Sequence, residues 1–162
     1  MSTRGQRLMR AVIVSTAVPV LVAACAPTGP VEPSVDDVRA AIGAAVETVP
    51  TVTGSLVNVA SAGVQARSVR VALYVDDVTP TVLATTIDGA LKAIWEATPF
   101  EPDHISISAV DGPLPDNATL GSMDGVDIVP IAEQLGLDAN DVTFDTLAVN
   151  ASTLRVRYGA HE

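Results

Sequence analysis

Cysteine is nearly absent from this chain, and the single thiol, Cys25, excludes an internal disulfide. Histidine is scarce, with only His104 and His161, so zinc chemistry lacks ligands at any usable spacing. Lysine is scarcer still: Lys92 stands alone beside the arginines, and acids outnumber cations 19 to 9 for a net charge of −10. That balance excludes a nucleic-acid binder, which must meet phosphates with Lys and Arg. The aromatics are Tyr74, Trp95, Phe100, Phe144 and Tyr158, too few for the platforms that line sugar-cleaving sites and expected mostly in the core. No glycine-rich phosphate loop is present. Gly121-Ser122-Met123-Asp124-Gly125 places its serine one position away from that of a nucleophile elbow. No enzyme, metal site or cofactor is expected.

Long apolar runs are missing as well. The longest, Ala11–Ala24, has 14 residues, short of the roughly 20 that span a bilayer, and Pro19 interrupts it. Arg4, Arg7 and Arg10 precede it and no acid occurs before Glu32. A cationic start, a short apolar run and small residues before a cleavage point describe an export signal. Leu21-Val22-Ala23-Ala24-Cys25 then resembles the lipobox of bacterial lipoproteins. The resemblance covers residues 1–25. It implies cleavage before Cys25, acylation of its sulfur, and a lipid-anchored location on the extracytoplasmic side of a cell membrane.

Pro27, Gly29, Pro30 and Pro33 make 25–33 a tether, leaving 34–162 as one globular domain. Ser34 with Asp37 has capping-box spacing, and Val38, Ile42 and Val46 follow on one helical face, ended by Pro50. Strands are expected at Thr53–Ala60, Ser68–Asp76, His104–Val110 and Thr153–Tyr158, each bounded by turn residues or showing alternation. Thr79-Pro80 opens a second helix with a Leu83, Ile87, Leu91, Ile94 stripe, and a short helix is expected over Asp127–Leu135. The expected fold is α+β: a two-layer sandwich whose mostly antiparallel sheet of about four strands carries its helices on one face. The helix-strand-strand-helix-strand order is similar, as architecture, to small envelope modules of the BON and ring-building type.

Two sites for binding follow. If Thr153–Tyr158 is a strand, Arg155 and Arg157 share the open sheet face with Arg70 and Tyr74, beside His104, Ser106 and Ser108. Such a cationic strip suits an anionic envelope protein or polymer. The competing expectation is compensation by acids of the long loop 111–126. The second site is the acidic region 101–145, where Asp138, Asn140 and Asp141 form an oxygen-rich turn. It suits a small ligand or calcium, although Val142 and Thr143 break the EF-hand pattern. The function expected overall is a non-enzymatic binding or scaffolding module held at the membrane through Cys25.

Overall fold

The structure, a computed structural model, describes residues 33–62, 66–121 and 125–161. All fall within one compact unit, Glu32–Glu162. Cys25, its leader and most of the tether lie outside the described residues.

Helix α1 (Val35–Val46) starts where the capping box requires. Ser34 Oγ accepts the Asp37 N–H at 3.1 Å, and the Asp37 carboxylate accepts the Ser34 N–H and hydroxyl in return. Those bonds hold the Asp37 carboxyl below its ordinary range. Strands β1 (Val52–Ala62) and β2 (Ala66–Val75) pair antiparallel, and α2 (Pro80–Ala97) crosses over to β3 (His104–Asp111), parallel to β2. Pro80 sits in the first turn of α2, where a missing N–H costs no hydrogen bond. After a long loop come α3 (Val129–Gln134), a 3₁₀ turn (Ala139–Asp141), the hairpin β4 (Val142–Thr143) and β5 (Thr146–Asn150), and finally α4 (Ala151–Tyr158).

The sheet order is β1-β2-β3-β5-β4, with only β2 and β3 parallel. One face supplies Val57, Val59, Val69, Val71, Leu73, Ile105, Ile107, Leu147 and Val149 to the core. Against it pack Val38, Ile42 and Val46 of α1, the Leu83, Ile87, Leu91, Ile94 stripe of α2, Ile131 of α3 and Leu154 of α4. The α+β sandwich with helices over one sheet face is therefore the fold.

One expected strand is a helix. Thr153–Tyr158 belongs to α4, because Asn150 caps it: its side chain accepts the Thr153 N–H at 2.9 Å and the Ser152 hydroxyl at 2.5 Å. The alternation of Leu154, Val156 and Tyr158 also fits a helix, since Leu154 and Tyr158 are four residues apart on one face. Val156, between them, is 90% exposed. The place beside β3 goes instead to β5, whose Leu147 and Val149 pair with Ile107 and Ile105.

Candidate functional site

The sheet face away from the helices is built by alternation. Register brings Asn58, Arg70, Ser106 and Ala148 into one row across four strands, with Ala60, Ser68, His104 and Asn150 in the next. Small and polar side chains here leave the surface low, and Arg70 stands out of it as an exposed cation.

Half of this face is covered. Ala72 and Tyr74 are buried although they point away from the helices. The covering chain is the segment after β3. The Gly112 N–H donates to Val75 O at 2.8 Å, and the Thr53 hydroxyl donates to Gly112 O at 3.1 Å. Leu114 then lies directly over Gly54, so closely that a Cβ there would come within 2.8 Å of Leu114 Cβ. Glycine is required by that approach. The segment returns through Val126, whose N–H donates to Ala109 O at 2.9 Å.

Between the returning loop, the sheet and the β4–β5 hairpin lies a cavity of about 400 Å³. Arg70, Ser106, Ser108 and Thr146 form its floor, Leu120 its loop side, and Asp145 its hairpin side. A second depression of about 320 Å³ adjoins it across Arg70, Ser106 and Leu120 and extends to Asn58 and His104. The two form one cleft with a guanidinium at its middle. Hydroxyls and a planar five-donor cation favour a carboxylate or phosphate oxygen there.

The cations divide by pairing. Arg39 meets Asp36 at 2.6 Å, Lys92 meets Glu96 at 3.8 Å, Arg155 meets Glu101 at 3.4 Å and Arg157 meets Asp88 at 2.6 Å. Arg67 lies over the Phe100 ring at 4.8 Å. Arg70 makes no ion pair with any described residue.

The expected strip of Arg70, Tyr74, Arg155 and Arg157 is thus not assembled. Arg155 and Arg157 turn with α4 and pair with Glu101, in the loop between α2 and β3, and with Asp88 of α2, neither of which lines the cleft. Arg157 also donates to Leu135 O at 3.0 Å, and the Tyr158 hydroxyl donates to the Asp88 carboxylate at 2.6 Å. Burial, with that bond to Asp88, pushes the Tyr158 phenol well above its ordinary range. Tyr74 keeps its place on the Arg70 face but lies beneath the loop. Arg70 alone of the four stands in the cleft.

Sequence reasoning missed Asn58 and Phe144 as cleft residues, and placed Asp145 only within the acidic region 101–145. The hairpin tip is the informative one: Phe144 and Asp145 both have positive φ, 49° and 56°, between paired Thr143 and Thr146. That is the backbone of a two-residue primed turn, usually Asn-Gly, so neither residue announces it. Phe144, expected in the core, is 96% exposed at the cleft rim.

Two acids of the acidic region bond the backbone just after them. Asp138 accepts the Asn140 N–H at 2.9 Å and its amide nitrogen at 2.8 Å, and Asp127 accepts the Val129 N–H at 3.0 Å. Among the described residues no three His, Cys, Asp or Glu side chains are grouped to hold a metal ion. No helix of the described residues is long and apolar enough to cross a membrane.

These features define a small α+β domain with a cleft on its open sheet face in which Arg70 is the one arginine or lysine among the described residues. Compared with protein-family models, with curated proteins and with solved structures, the chain matches none.

Proposed function

We propose that this chain is a lipid-anchored, non-enzymatic binding module of a cell envelope. In this reading Cys25 is its attachment point and the Arg70 cleft its recognition surface. The anchor rests on the order of basic start, apolar run, two alanines and cysteine. The binding half rests on one observation: an exposed arginine that makes no ion pair with any described residue, set between two depressions. A lone guanidinium among hydroxyls is suited to an anionic group on an envelope protein or polymer.

Two substitutions separate the halves. Cys25→Ser should release the protein from the lipid fraction and leave capture of envelope material intact. Arg70→Gln should abolish capture and leave sedimentation with lipid unchanged. Capture that survives Arg70→Gln rejects the cleft, and a native protein with an unmodified Cys25 sulfur rejects the anchor.

A small-ligand reading has one observation in its favour: a volume of about 400 Å³ lies within the range of small-molecule sites, with Asp141 and Asp145 at its edge. Calcium or another cation at those carboxylates would raise the melting temperature, with a stabilisation that grows as the logarithm of one plus its concentration over its Kd. An unchanged melt across a calcium titration removes that version.

A further inference from the structure

The two edges of the sheet are built differently. At one end β4 has only two residues, a short edge that offers little to a partner strand. At the other end β1 has 11 residues, Val-Thr-Gly-Ser-Leu-Val-Asn-Val-Ala-Ser-Ala, with no charged side chain and no proline. Apart from a turn bond between the Val52 N–H and Val49 O, its backbone bonds only to β2 among the described residues. Half of its N–H and C=O groups therefore face outward along a length of roughly 30 Å. Edge strands are normally protected by Lys, Pro, bulges or brevity. The sole irregularity here is the register shift between Val52 and Gly54, at the strand's first residues.

The charge distribution selects the occupant. The chain carries a net charge of −10, so two copies repel over most approaches. Along β1 no carboxylate opposes another. A second copy brings an edge of equal length and equal neutrality, and antiparallel self-pairing satisfies both rows at once with closed two-fold symmetry.

We propose that two copies of this chain join antiparallel through β1 into one continuous ten-stranded sheet. The two-fold axis of such a pair is perpendicular to the sheet. Both helical layers consequently lie on one side and both open faces on the other. The two β2 strands, each bearing Arg70, are separated by three strand spacings, about 14 Å. A dimer would thus present two clefts on one surface and hold a repetitive anionic partner at two points. The pairing itself is independent of what the cleft binds.

The test uses the full chain extracted in detergent. Sedimentation should show a monomer–dimer equilibrium, and amides of β1 should exchange with deuterium more slowly when the dimer is populated than after dilution. Asn58→Lys, at an exposed position of β1, should weaken association by about fivefold or more, while the like charge it places opposite Arg70 lowers the melting temperature only slightly. Asn58→Ser should leave association as it is. A chain that sediments as a monomer throughout overturns the proposal. So does a dimer that Asn58→Lys does not weaken, or one whose β1 amides exchange no more slowly than the monomer's.

Discussion

Gly54 and Leu114 meet where the loop crosses the sheet, and the contact leaves no room for a methyl group. Cβ atoms cannot rotate out of the way, so Gly54→Ala must displace the loop or the strand. The expected loss is about 1–3 kcal/mol in chemical denaturation, with Tyr74 more accessible to quenchers. Adding Leu114→Gly should recover part of the loss, because it removes the Cβ at 2.8 Å together with the Cγ and Cδ2 behind it. A fully additive double mutant would place the strain elsewhere. Tyr158 makes a second residue-level case. Its folded pKa is raised above the ordinary value near 10, by burial first and by its bond to Asp88 second. The phenol's contribution to stability is therefore complete below about pH 10 and disappears as pH rises through the folded pKa. Tyr158→Phe should flatten the alkaline limb of the stability curve, followed by denaturant midpoints, while the acid limb stays in place.

The β4–β5 hairpin shows how an element can carry an unfavourable tip. Phenylalanine in the left-handed region is strained, and a 96% exposed ring contributes little burial in return. Replacing Phe144 and Asp145 by Asn and Gly supplies the residues that a primed turn favours. The double variant should be about 1 kcal/mol more stable, read from its denaturation midpoint. If the ring at the cleft rim contacts the partner, the same variant captures less envelope material despite its greater stability. This hairpin also marks where sequence becomes uninformative. α1, α2 and the three long strands are legible because capping residues, prolines and apolar spacing agree along many residues. β5 has five residues and β4 two, so their period is too short to distinguish from a loop. α4 is misleading for a related reason: over eight residues, apolar side chains at every second position satisfy a strand and, at every fourth, a helix. Asn150 decides between them as a cap, a signal equally consistent with a turn.

At the scale of the molecule, the sheet separates two electrostatic environments. On the helical side, Arg157 joins α4 to α2 through Asp88 and to the end of α3 through Leu135 O. On the open side, Arg70 is held above its row by strand register alone. Only this second arrangement was partly legible: alternation placed Arg70 with Ser106 and His104, but the arginines expected beside it depended on a strand that is a helix. The loop that buries Tyr74 could be seen as long, yet its contact with Gly54 joins residues sixty positions apart and leaves no local trace. The two arginines should consequently respond in opposite ways. Arg157→Gln should cost about 1 kcal/mol, solvent screening included, because it leaves the partly buried Asp88 carboxylate with one donor fewer. Arg70→Gln should alter stability by less than about 0.5 kcal/mol, since no described residue loses a partner. Measured together with capture of envelope material, the pair distinguishes a structural arginine from a recognition one. Stability should fall and capture persist for Arg157, and the reverse should hold for Arg70. A destabilised Arg70→Gln would mean that this guanidinium holds the loop against the sheet, and the cleft would then be a by-product of packing.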